Sequence, residues 1–148
     1  MTQTEWRRNR FTISTDRGKL DRAAIHRFLA GAYWSRGIPR ETVDRAIDNS
    51  LCFGVYEGDR QVGFARVISD GTTFAYLADV FVLESERGHG LGVWLIETIR
   101  AHPELQNLRR WMLATRDAHG LYRKFGFAPL AHPERLMEIV DAEIYLRR

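Results

Sequence analysis

The segment Val80-Phe81-Val82-Leu83-Glu84-Ser85-Glu86-Arg87-Gly88-His89-Gly90-Leu91-Gly92 places glycine at three alternate positions between a buried-strand pattern and a helix. Residues 74–83 form the most apolar strand candidate of the chain, and Leu91, Leu95 and Ile99 recur at i, i+4 and i+8 until Pro103. A strand that opens through glycines directly into a helix belongs to an α/β domain. Glycines let backbone N–H groups turn inward and approach a ligand closely. The helix N-terminus adds free donors and a partial positive charge, so the loop suits a pyrophosphate, with the Arg87 charge beside it. Two familiar phosphate designs do not fit. A Walker loop ends in Gly-Lys-Ser/Thr, whereas Gly92-Val93-Trp94 stands here; the dinucleotide fingerprint is G-x-G-x-x-G, whereas Gly88, Gly90 and Gly92 give G-x-G-x-G. A glycine-rich turn that holds no ligand is the bland alternative.

The rest of the chain builds the same kind of domain. Residues 11–14 read as a short strand. Ile25, Phe28, Leu29 and Ala32 form one apolar face of a helix, and Pro39 takes the first position of a second helix with Val43, Ala46 and Ile47 inward. The link between them carries Tyr33 and Trp34. Residues 51–56 and 61–69 are strands separated by Glu57-Gly58-Asp59-Arg60, and the strand at 74–83 follows a turn at Asp70-Gly71-Thr72. After the helix from about 90 to 102 come a strand at 110–114, a short helix at 118–124 and a remainder that reads as strand-rich. With 148 residues and no internal repeat, residues 1–148 make one α/β domain around a mixed sheet.

Composition removes several function classes. Apolar residues make up 45% and charged residues 28%, as in a soluble globular protein, and no run of about 18 apolar residues could span a membrane. Residues 1–10 are polar and basic without an apolar stretch behind them, so no secretory leader is expected. Cys52 stands alone, without a disulfide partner or a metal-ligand set, and reads as a small buried hydrophobe. A reducing cytoplasm suits all of this. The net charge of +3 is carried by arginines scattered along the chain, whereas a nucleic-acid binder concentrates its charge on one face. A basic site for an anionic cofactor explains the charge with fewer assumptions.

Two motifs resemble those of the GNAT superfamily of acyl-CoA-dependent N-acyltransferases. The first is R-x-x-G-x-G, at Arg87-Gly88-His89-Gly90-Leu91-Gly92. The second, N-x-x-A-x-x-L-Y-x-x-x-G-F, matches Ala118, Leu121, Tyr122, Gly126 and Phe127 in register. The resemblance covers about residues 76–130. It implies a mixed, mostly antiparallel central sheet flanked by helices, and acetyl-CoA as co-substrate. It also implies that backbone groups of Phe81 and Val82 meet the pantetheine arm, that residues Arg87 to Gly92 cradle the pyrophosphate, and that Tyr122 protonates the departing thiolate. A packed aromatic is the plain alternative for Tyr122. The family asparagine is replaced by Thr115, so its pantetheine contact does not carry over.

Acetyl transfer to nitrogen also needs a neutral amine and donors for the oxyanion, which a backbone N–H in the strand from Ala78 to Phe81 could supply. Asp79 interrupts the apolar Leu77-Ala78-Asp79-Val80-Phe81 and is either the base or a carboxylate paired with an arginine such as Arg66 or set at the sheet edge. His119 is the second candidate base, and His89 reads as a spacer or a phosphate contact. Tyr33 and Trp34 either line the acceptor pocket or pack in the core. The expectation is an N-acetyltransferase that acts on a primary amine of a small molecule or peptide by direct attack in a ternary complex, with no metal and no cysteine nucleophile. A non-catalytic acyl-CoA-binding or sensing domain is the alternative. Nucleic acid and membrane are not expected as partners, and a homodimer is compatible with the chain.

Overall fold

The computed structural model describes residues 4–147. At its centre lies a hairpin of Leu51–Glu57 (β3) and Arg60–Ser69 (β4), turned through Gly58 at φ 60°. Period-two alternation divides these strands between two cores. Phe53, Val55, Ala65 and Val67 face one side, whereas Cys52 and Phe64 face the other. Glu5–Arg8 (β1) and Phe11–Ser14 (β2) extend the sheet antiparallel on the β3 side, and Phe74–Val82 (β5) pairs antiparallel with β4. Arg110–Leu113 (β6) adds to β5 in parallel, completing a six-stranded sheet in sequence order.

Each face carries helices because each face is apolar. Arg22–Gly31 (α1) starts at Asp21, whose carboxylate caps the Ala24 N–H at 3.0 Å. With Arg40–Asp48 (α2) it covers Phe64 and Phe81 through Ile25, Leu29, Val43 and Ile47. Leu91–Ala101 (α3) covers the opposite face through Leu91, Trp94, Leu95 and Ile99. His119–Arg123 (α4) is a short helix after β6. The described residues contain no helix long and apolar enough to cross a membrane.

Three expectations need correction. Within the polar and basic residues 1–10, for which the sequence suggests no strand, β1 forms because Asn9 at φ 55° turns it onto β2 and Trp6 packs against the core. Pro39 caps α2 from outside rather than occupying its first turn, with an extended ψ of 151°. The strand-rich reading of the C-terminus fails: among the described residues no strand follows Leu113, and the chain makes single turns at Pro133–Arg135 and Ile144–Arg147. Strand-forming side chains make a strand only where a sheet edge receives them, and residues 136–140 pair with none, leaving Met137 and Ile139 almost fully exposed.

Two irregularities open the sheet. Pairing of β5 with β6 ends at Leu77 and Leu113, so the second half of β5 has no neighbour on that side. On its other side the register slips, with Phe64 opposite Phe81 but Arg66 opposite Ala78. Asp79 and Val80 thus face Ala65 alone, a bulge in which Asp79 adopts φ 54°.

Candidate active site

The bulge turns the sheet into a site. Two clefts, of about 620 and 630 Å³, meet where β5 has lost its β6 neighbour. Tyr33, Trp34, Val80, Arg116 and Tyr122 line both. The first cleft runs from Val80, Phe81 and Val82 to Arg87, Gly88, Gly90, Leu91 and Gly92. The second holds Arg66, Tyr76, Asp79, Thr115 and Tyr145.

The glycine loop has the backbone that a phosphate cradle requires. Gly88 at φ 91° and Gly90 at φ 72° are left-handed, and a Cβ added at either would meet no atom within 4 Å. Gly90 occupies the cap position of α3, so the first-turn N–H groups of that helix open into the same space. Of the two acidic residues in the loop, Glu86 lines the cleft, and it does not oppose an anion freely: it is buried and paired with Arg60 at 2.9 Å. Phe81 is fixed in place by a stacked Phe28, with ring centroids 3.9 Å apart. His89 departs from the expected set. It lies outside the cleft lining, beside Phe11 at 5.7 Å and Arg10 at 3.4 Å.

Tyr122 stands at the junction of the clefts with only 8% exposure. Burial, with a smaller contribution from Tyr33, pushes its phenol up to about 12, so it keeps its proton throughout the neutral range. Phe127, the last residue of the second motif, meets the Tyr122 ring edge-on at 5.9 Å. Thr115 uses its hydroxyl to accept the Ala118 N–H at 3.0 Å, holding the turn into α4.

Asp79 is paired, as one of its sequence-based readings has it, and it also lines the second cleft. Oδ2 accepts from Arg66 Nε at 2.9 Å and Oδ1 from Trp34 Nε1 at 2.8 Å, while Arg66 Nη1 donates to Ser50 Oγ at 3.1 Å. The aromatic turn is likewise tied to both sides of the opening. Trp34 holds β5 through Asp79, and the Tyr33 hydroxyl accepts the Arg116 N–H at 3.2 Å beneath a guanidinium 3.9 Å from its ring. His119 is not brought to the clefts. It is exposed and lines an adjoining groove of about 300 Å³ with Trp111 and Leu130, which shares Thr115 and Tyr122 with the second cleft.

Arg116, Phe28 and Tyr145 are site residues that sequence reasoning missed. Phe28 carried a helical periodicity that fitted the core equally well; Arg116 and Tyr145 carried no signal, because neither falls in a periodic run. Cys52 is buried, and its thiol is pushed up to about 11 by burial, which removes it as a nucleophile. Among the described residues no three His, Cys, Asp or Glu side chains are grouped to hold a metal.

Comparison with known proteins agrees with this geometry. Residues 48–129 match the family described as the acetyltransferase (GNAT) domain. A candidate acetyltransferase of Gibberella zeae, FG08082, is 33% identical over 140 residues, covering 80% of this chain and 79% of that protein. A crystal structure from Xanthomonas campestris pv. campestris, described as a candidate acetyltransferase of the GNAT family, is 51% identical. It superposes with a TM-score of 0.91 over 93% of this chain and 97% of that one. A more distant GNAT acetyltransferase from Elizabethkingia anophelis, crystallised with acetyl-CoA, shares the fold at 13% identity and a TM-score of 0.61, with 82% and 78% of the two chains covered.

Proposed function

Because this chain belongs to the GNAT acetyltransferase family, we propose that it transfers acetyl from acetyl-CoA to a primary amine, most simply that of a small molecule, by direct attack in a ternary complex. The meeting of two clefts at Tyr122 carries the reading: one has the phosphate loop, the other has room and a carboxylate for an amine.

In this reading the loop N–H groups and Arg87 hold the pyrophosphate, and the unpaired edge of β5 at Phe81 and Val82 receives the pantetheine arm. Backbone N–H groups at the Asp79–Val80 bulge, left without a regular ladder partner, are the donors that would stabilise charge on the acetyl oxygen. Each Asp79 oxygen retains a second lone pair, which can accept from an incoming ammonium and pass its proton towards water. Tyr122 donates to the departing thiolate.

The test is thiol release from acetyl-CoA with a panel of amines. An acyl-CoA sensor would gain melting temperature on binding acetyl-CoA but release no thiol. The second cleft, which a sensor would not need, favours the enzyme.

Asp79→Asn should lower turnover at neutral pH by at least about tenfold, a threshold below the roughly 10²–10⁴-fold that a positioned proton acceptor contributes. Raising the pH should recover part of the loss. An alkylamine with a pKa near ~10 is only about 1% neutral at pH 8, so each added pH unit supplies about tenfold more nucleophile. The variant also strands the Arg66 guanidinium, so folding is checked by circular dichroism. Full activity at neutral pH in folded protein would leave Asp79 as a structural partner of Arg66.

The proposed partners are an amine and acetyl-CoA, without nucleic acid or membrane, in a cytoplasmic setting. Many of the arginines that could have formed a nucleic-acid surface are engaged locally, among them Arg8 with Glu97, Arg10 with Glu57, and Arg22 with Asp44 and Asp48. A homodimer is proposed on the exposed run at 136–140, where Met137 is 98% and Val140 68% exposed. Ile139→Glu should then give a monomer in sedimentation velocity, and equal sedimentation of both proteins would remove that run from any interface.

A further inference from the structure

The far C-terminus returns to the acceptor cleft. Residues 141–147 form a closed turn in which Ile144 N–H donates to Asp141 O at 3.2 Å and Leu146 N–H to Glu143 O at 2.9 Å. Arg147 Nη1 closes it on Asp141 Oδ1 at 3.0 Å. The turn docks against the link after α1. There Gly37 adopts φ 82°, and a Cβ would lie 3.1 Å from the Tyr145 carbonyl oxygen and 3.2 Å from Leu146 Cδ2. That close approach seats Tyr145, half-buried, against the cluster containing Ile38 and on the wall of the acceptor cleft.

Five aromatic side chains from four parts of the chain then face one cavity: Tyr33, Trp34, Tyr76, Tyr122 and Tyr145. The formal charges on the same wall cancel in pairs, Arg66 with Asp79 at 2.9 Å and Arg116 with Asp117 at 3.6 Å. Such a cavity offers ring faces and edges to an apolar or aromatic body, and a ring quadrupole and a carboxylate to an ammonium. It offers no surplus cation to a phosphate or a free carboxylate, and no surplus anion to the several charges of a polyamine.

We propose that Tyr145 is a specificity-determining wall of the acceptor site, and that the acceptor is a primary amine carried on an aromatic body. The inference rests on the acetyltransferase reading and names the substrate class of that same cleft.

The experiment measures acetyl transfer to 2-phenylethylamine, spermidine, glucosamine 6-phosphate and glycine, alongside the acetyl-CoA melting shift. 2-Phenylethylamine should be used with kcat/KM at least about tenfold above the others, the size of effect expected from one well-matched apolar contact. Tyr145→Ala should raise KM for 2-phenylethylamine by about five- to tenfold while leaving kcat within about twofold and the acetyl-CoA shift unchanged, the signature of lost uniform binding. Tyr145→Phe should restore KM, because the ring and not the hydroxyl makes the wall. Gly37→Val, which cannot keep φ 82° beside the Tyr145 carbonyl, should reproduce the KM effect by displacing the turn. Transfer that favours spermidine, the sugar phosphate or glycine would overturn the proposal and leave the acetyltransferase reading standing. So would a Tyr145→Ala protein with unchanged KM. Acetyl-CoA binding with no thiol release to any of the four amines, or no acetyl-CoA binding at all, would overturn both.

Discussion

Acetyl-CoA should raise the melting temperature of the wild-type protein, and Gly90→Asp should abolish that rise without unfolding the chain. Ligand at about a hundred times its Kd stabilises a native state by about 2.7 kcal/mol. In a domain of this size, each kcal/mol is worth roughly 2–4 °C, so a shift of about 5–11 °C is expected to vanish. The free protein tolerates the change for local reasons. A Cβ at Gly90 meets no atom within 4 Å, and aspartate is among the residues that enter the left-handed region most readily. A carboxylate at the cap of α3 also favours the helix N-terminus. The same carboxylate would occupy the space proposed for the pyrophosphate and repel it, so binding should fall while stability does not. Gly90→Ala separates the two effects: it carries the cost of φ 72° without the charge and should retain part of the shift. Wild-type binding by the aspartate variant, measured by calorimetry, would remove the loop from the cofactor site.

The parts of this site that are legible in the sequence are those that local chemistry dictates. Glycines at 88 and 90 announce positive φ because few other residues accept it, and α3 follows from the spacing of Leu91, Leu95 and Ile99. The Asp79 alternatives could be stated but not chosen between, since a lone acid in an apolar strand signals only that something compensates it. The compensation comes from Arg66 on the adjacent strand and Trp34 on a distant turn. The bulge that gives Asp79 its φ of 54° is a property of pairing with β4, invisible in β5 alone. His89 shows the limit of motif matching: it sits inside the phosphate signature yet packs on Phe11, because that position points its side chain away from the cleft. The C-terminus misled for the converse reason. Its apolar residues have strand propensity, but propensity without a receiving edge produces turns, and one of these carries Tyr145 into the acceptor cleft.

Tyr122→Phe should slow acetyl transfer by at least about tenfold, less than the roughly 10²–10⁴-fold that a positioned acid can contribute, because a thiolate already leaves fairly well. The substitution keeps the ring that packs edge-on against Phe127 and removes one oxygen, so fold and acetyl-CoA affinity should survive. The phenol is well suited to donate and poorly suited to accept. Pushed up to about 12 by burial, it is protonated at every working pH, so it contributes no descending limb to the rate profile below about pH 11. The wild-type rate should therefore climb with pH as the amine loses its proton and then level off. Tyr122→Phe should follow a parallel profile displaced downward. A donor thioester whose thiol has a lower pKa needs less help in leaving, and with it the variant should lose distinctly less. That differential identifies the acid. A packing role would misplace both donors alike, and equal losses with the two thioesters, or none, would assign Tyr122 to structure and give protonation of the thiolate to water.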